Sequence, residues 1–141
     1  MTRINLIPVE ELTDQHLMAE YRELPMIAKS LLKTLRSKSG YQENKVSPTY
    51  ILGTGHIYFF YNKRDYLVDR YLKLISELKL RKFDIKPDNR IMGWEIFDRI
   101  TQIEWTPTNE DIALNKARID ERISLKPNWY RKTTYDSSTT N

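Results

Sequence analysis

Along three stretches of this 141-residue chain, apolar side chains recur at intervals of three and four, and that spacing commits the chain to helices. From about Thr13 to Lys38, the residues Leu17, Tyr21, Leu24, Ala28, Leu31 and Leu35 fall on one helical face. Thr13 or Asp14 can cap the start, and Gly40 marks the end. Pro25 lies inside this run. It lacks a backbone donor and crowds the carbonyl of Tyr21, so a kink is expected near Glu23 that exposes polar backbone beside a carboxylate. A second run covers roughly Lys63 to Lys82, with Leu67, Tyr71, Leu74, Ile75 and Leu78 inward and Asn62 with Asp65 patterned as a cap and its return partner. The third opens at Thr108, has Asp111 three residues on, turns Ile112, Ile119 and Ile123 to one side, and stops before Pro127.

The connections are long and irregular. Residues 47–61 are apolar and β-prone but broken by Gly53 and Gly55; a hairpin is possible there, and an irregular packed loop is preferred. Lys86 to Pro107, with Pro87, Gly93, Trp94 and Trp105, reads as a mixed loop whose aromatic rings cover the helices. Residues 133–141 are small and polar and are expected to fray. The expected fold is therefore all-α: one domain over residues 1–141, with three main helices joined by long irregular loops.

Composition closes several routes to function. The absence of cysteine excludes disulfides, Cys-ligated zinc, iron–sulfur clusters and thiol nucleophiles. His16 and His56 are the only histidines, which argues against a His-rich metal centre and leaves only carboxylate-bound Mg²⁺ or Ca²⁺ open. No apolar stretch approaches the ~20 residues of a bilayer span, and the N-terminus lacks a basic-then-apolar leader, so a soluble intracellular protein is expected. Lys and Arg total 23 against 19 Asp and Glu, a net charge of +4 that mildly favours polyanionic partners.

Basic residues also cluster by face. Arg22, Lys29, Lys33 and Arg36 form a stripe along the first helix, away from Leu17 and Leu24. On the third helix Asn115, Arg118 and Arg122 share a face, and Lys126, Trp129, Tyr130, Arg131 and Lys132 follow closely. Cations interleaved with rings suit nucleic acid, because cations neutralise phosphates while rings stack on bases. The same pattern also suits ordinary solvated helix faces with Trp129 in the core. Glu23 sits beside Arg22 at the expected kink, with Glu20 one turn earlier, although carboxylates on exposed helix faces are common. His16 and His56 read as packed or surface histidines. Gly53-Thr54-Gly55 lacks the remaining residues of a phosphate-binding loop. At the N-terminus, Thr2 is small enough that Met1 is ordinarily removed, leaving an α-amine whose pKa near ~8, against ~10.4 for lysine, suits imine chemistry.

Taken in register, Thr2-Arg3-Ile4-Asn5-Leu6, the block from Asp14 to Pro25, Ser47-Pro48-Thr49, Ile51-Leu52-Gly53, Gly55-His56, Phe59-Phe60-Tyr61, the block from Ala117 to Glu121, and Pro127 with Trp129-Tyr130 resemble the pyrimidine-dimer DNA glycosylase and AP lyase family of the T-even phage endonuclease V type. The resemblance covers most of the chain and weakens over 37–45, 86–107 and beyond Lys132. It implies an N-terminal arm lying between the helices close to Glu23, no metal or other cofactor, a monomer, and double-stranded DNA bearing cyclobutane pyrimidine dimers or abasic sites as substrate. Such an enzyme would act in a bacterial cytoplasm, or be phage-encoded and act inside the host. By the same resemblance the Thr2 α-amine attacks the sugar of the 5′ pyrimidine to give an imine, β-elimination cuts the strand, and Glu23 is the essential carboxylate. Arg3, Arg22, Lys33, Arg118 and Arg122 match DNA-binding positions, and Trp129-Tyr130, followed by Arg131, match the family's tail.

Two positions depart from the family pattern. Met26 stands where an arginine is expected, removing one phosphate contact, and the tail after Tyr130 is less aromatic. Neither change touches the amine or the carboxylate. The competing readings are a DNA-binding module without catalysis, and the same chemistry on another damaged base.

Overall fold

The structure is a computed structural model that describes residues 4–86 and 94–135, and among these residues it contains helices and turns but no strand. Thr13 accepts the amide of His16 and starts α1 (Asp14–Glu23). The missing donor at Pro25 then divides the expected first helix in two. Leu24 still bonds back to Glu20 at 2.8 Å, and after Pro25 the chain resumes as α2 (Met26–Arg36). The kink expected near Glu23 is thus a full break with Glu23 as the last residue of α1. α2 also stops earlier than expected: Ser37 turns extended, so Gly40 belongs to the following turn.

The irregular reading of residues 47–61 is correct, with a single short turn, α3 (His56–Phe59), entered through Gly55 at a φ of 91°. The next helix, α4 (Arg64–Leu80), is not capped by Asn62. Asn62 Oδ1 instead accepts from the Lys63 ammonium, and the Arg64 amide is met by Gln102 Oε1 at 2.8 Å. α5 (Asn109–Leu125) carries the full reciprocal cap between Thr108 and Asp111. In the connection before it, Trp94 and Phe97 are buried and Trp105 packs edge-on against Phe59, Phe60 and Tyr66, as an aromatic cover over the helices requires. Pro87 and Gly93 lie outside the described residues.

α1, α2 and α4 share an apolar core of Leu17, Tyr21, Leu24, Ile27, Leu31, Leu67, Tyr71, Leu74 and Leu78. α5 differs. Of its expected apolar face only Ile119 is buried, beside the polar Asp111 and Asn115. The reason is the N-terminal arm, which takes the place between α5 and the other helices: Ile4, Asn5, Leu6 and Ile7 are all buried. The backbone of an extended segment buried in this way needs partners that a helix would have supplied itself. They come from every side. His56 Nε2 accepts the Ile4 amide, and the Tyr50 hydroxyl donates to the Ile4 carbonyl. Tyr66 donates to the Asn5 carbonyl, and Arg70 to that of Ile7. Asn115 Oδ1 accepts the amides of both Leu6 and Ile7.

Fraying of the tail from Thr133 onward is corrected for its first residues. Thr133 bonds to Asp14 through both its amide and its hydroxyl, and the Tyr135 hydroxyl donates to Glu77. The remainder of that expectation, 136–141, lies outside the described residues.

Candidate nucleic-acid cleft

Breaking the chain at Pro25 leaves the C-terminal end of α1 facing α5 across the arm. A cleft of about 320 Å³ opens there, lined by Asn5, His16, Glu20, Glu23, Tyr50, Asn115, Arg118, Arg122 and Tyr130, with Ala19, Leu52 and Ile119 as its apolar floor. Of the two carboxylates on its wall, one is engaged. Glu20 is buried, held by Arg70 through Nε at 2.8 Å and Nη2 at 3.0 Å, and it accepts Asn5 Nδ2 at 2.8 Å. Burial disfavours the Arg70 charge, but the Glu20 carboxylate outweighs it and holds the guanidinium above its ordinary range. Glu23, one turn on, is half-buried and has no hydrogen-bond or ion-pair partner among the described residues. The helix therefore presents one carboxylate as an anchor and the next without a partner among the described residues.

Opposite them, Arg118 and Arg122 stand four residues apart on α5 and so share a face. The Arg118 Nε is buried with no hydrogen-bond partner among the described residues. A buried donor left open costs about 1–3 kcal/mol, which makes it a ready contact for an anion. Tyr130 closes the cleft, its ring stacked on His16 at 4.7 Å and 4°. Trp129 meets Tyr130 edge-on and is 54% exposed, so it belongs to the surface and not to the core.

The other basic residues fall outside this cleft. Arg22 is exposed beside Glu23 without lining it. Lys33 lines a separate groove on α2 with Lys29 and Arg36. Met26 is half-exposed at the start of the same helix. The Arg131 side chain is exposed, while its backbone is bound at both ends: its amide donates to Gln15 Oε1 and its carbonyl accepts the Asp14 amide. Thr2 and Arg3 lie outside the described residues. His56 is a packed histidine, as expected: Nε2 accepts the Ile4 amide, so Nδ1 carries the proton and donates to Ile51 O at 2.8 Å. His16 is half-buried and lies at the cleft itself.

Asn5, Tyr50 and Gln15 were not anticipated. Asn5 did carry a signal, a lone amide inside Ile4-Asn5-Leu6-Ile7, whereas Tyr50 and Gln15 sit among other polar and aromatic residues with nothing in the pattern to single them out. Among the described residues no helix is long and apolar enough to cross a membrane, and no group of three His, Asp or Glu is placed to hold a metal ion. A family model described as pyrimidine dimer DNA glycosylase matches residues 1–90.

Proposed function

We propose, from the premise that this chain belongs to the pyrimidine dimer DNA glycosylase family, that it cleaves the glycosidic bond of the 5′ pyrimidine of a cyclobutane dimer in duplex DNA through the α-amine of Thr2 and then nicks the strand as an AP lyase. With Met1 removed, the amine attacks C1′ of the deoxyribose. An N–C1′ bond forms as the glycosidic bond breaks, with the bonding pair leaving on the base. The nitrogen gives up one proton, its lone pair then expels the ring oxygen, which takes up a proton, and a protonated imine results. Loss of a C2′ proton breaks the bond to the 3′ phosphate. Nucleophile and proton relay both come from the chain.

Glu23 carries this reading. It is the cleft carboxylate with no partner among the described residues, while Glu20 is taken by Arg70 and Asn5. A free carboxylate can stabilise positive charge developing at the sugar and then move the protons that ring opening and elimination require. The arm supports it from the other side: Asn5 lines the cleft, and the three residues from Thr2 to Asn5 span at most about 11 Å. Arg118 and Arg122, on the opposite wall, suit the phosphates flanking the lesion. Arg3, Arg22, Lys33 and Arg131 extend the contact along the backbone, and Trp129 with Tyr130 offers rings to unstacked bases. A dimer stacks and pairs poorly, so bending the duplex there costs less than at intact steps, and deformability contributes to recognition.

The test is Glu23→Gln, which keeps size and polarity and removes the charge. Affinity for a dimer-containing duplex should stay within a few-fold, and glycosidic-bond cleavage should slow by on the order of 10²–10⁴, the range of a lost acid–base group. Full turnover in the variant would remove Glu23 from the mechanism.

A further inference from the structure

The tail that brings Tyr130 to the cleft has no secondary structure of its own beyond Pro127, and it is held almost entirely by two consecutive residues of α1. A helix starts with four amides that lack intrahelical partners, and α1 gives one of them to the tail: the Asp14 amide donates to the Arg131 carbonyl at 2.6 Å. The side chain of Asp14 accepts both the amide and the hydroxyl of Thr133, at 3.0 and 2.6 Å, and also the buried Arg81 guanidinium at 2.9 Å. Burial opposes ionisation of Asp14, yet these bonds hold its pKa below the ordinary carboxylate value. Gln15 completes the arrangement with one side chain. Its Nε2 donates to the Trp129 carbonyl at 2.6 Å and its Oε1 accepts the Arg131 amide at 2.9 Å.

Gln15 therefore pins the backbone on both sides of Tyr130 without itself lining the cleft. The bonds at Trp129 and Arg131 bracket Tyr130 on both sides, and Asp14 holds the chain beyond it at Arg131 and Thr133. The Tyr130 ring meets His16, the next residue of α1, whose own position is set by Thr13 through the helix cap and a 2.7 Å contact to Nδ1. We propose that Gln15 is a positioning residue for lesion recognition: it acts through the tail backbone to fix Tyr130 as a wall of the cleft. This rests on the proposed dimer substrate.

The full-length chain carrying Gln15→Ala, Gln15→Glu, Tyr130→Ala or the double change Gln15→Ala with Tyr130→Ala tests it, with a duplex holding one thymine dimer as probe. Gln15→Ala should weaken binding of that duplex about fivefold, the low end for losing one ring stack, while the single-turnover rate at saturation stays within about twofold. Gln15→Glu keeps the acceptor for Arg131 but not the donor for Trp129, and should fall between. Because Gln15 acts through Tyr130, the double variant should bind no worse than Tyr130→Ala alone. Limited trypsin digestion reads the clasp without any substrate. Cleavage after Arg131 or Lys132 needs their bonded backbone freed, so it should accelerate several-fold in Gln15→Ala.

Unchanged affinity with faster tail cleavage, additive penalties in the double variant, or unaltered cleavage would each overturn the proposal. If the wild-type chain does not prefer the dimer duplex over undamaged DNA, the substrate reading fails. The positioning claim then stands or falls on the trypsin rate and on the ring-current shift of Tyr130 against His16, which Gln15→Ala should abolish and must not leave intact.

Discussion

Replacing Asn115 with alanine should be among the most damaging single changes outside the apolar core. The side chain is 1% exposed and serves the arm alone: Oδ1 accepts the amides of Leu6 at 2.6 Å and Ile7 at 3.1 Å, and Nδ2 donates to Asn5 Oδ1 at 2.9 Å. Truncation strands two backbone amides and one side-chain carbonyl. Each buried group left open costs about 1–3 kcal/mol, and water entering from the adjoining cleft recovers part of it, so the net loss should be about 3–5 kcal/mol. Asn5 cannot turn its amide to compensate, because its Nδ2 is committed to Glu20. Against a total stability of ~5–15 kcal/mol this is a large fraction. Urea denaturation followed by tryptophan fluorescence should show the midpoint falling by roughly 2 M with little change in slope. Lys116→Ala is the control: its pair with Asp120 is exposed on both sides, and the change should stay within about 0.5 kcal/mol. A loss below about 1 kcal/mol for Asn115→Ala would refute the view that α5 holds the arm through this side chain.

Lys63 offers a test through pH. It is 3% exposed, bonded to Phe59 O and Asn62 Oδ1 at 2.9 Å each, and burial pulls its pKa from 10.5 to about 8. The unfolded chain thus keeps this proton to higher pH than the fold does, and stability from this group should rise between about pH 8 and 10, by ~2 kcal/mol; Lys63→Met should flatten that rise in denaturation curves, and an identical slope would contradict it. Gly55 and Gly53 both sit at positive φ, +91° and +76°, so alanine strains the backbone at either; Gly55→Ala also places a Cβ 2.9 Å from Ile51 Cδ1, next to the His56 that holds the arm, whereas Gly53→Ala meets open space. A thermal scan should show each losing roughly 1–3 kcal/mol to backbone strain, the first somewhat more than the second, and equal effects would dismiss the contact with Ile51. Affinity for DNA should fall linearly in log–log against salt, and Arg122→Ala should reduce that slope by about 1; an unchanged slope would take Arg122 out of the phosphate contacts.

Helix content was legible because it depends on local spacing. The cap at Thr108 and the inward faces of α1 and α4 follow from periodicity and from residues three apart. What escaped the pattern depends on distant partners. α4 begins where Gln102 meets the Arg64 amide, so the Asn62 signal was a false cap. Glu20 falls on the apolar stripe between Leu17 and Leu24 because Arg70, 50 residues on, neutralises it, and that pairing is what separates it from Glu23. Asn115 stands on α5's inner face because it satisfies the arm and not another helix, which no helical period can announce. The docked start of the tail was hidden in the same way, since Thr133 looks unremarkable until Asp14 is beside it.

The central claim is tested most directly by borohydride trapping on a duplex with a single thymine dimer, followed by peptide mapping of the adduct, using protein whose intact mass shows Met1 removed. The account predicts a covalent protein–DNA species with the sugar attached at the Thr2 nitrogen, abolished when that nitrogen is acetylated beforehand. No adduct, or an adduct mapped to a lysine side chain with the Thr2 nitrogen unmodified, would contradict it.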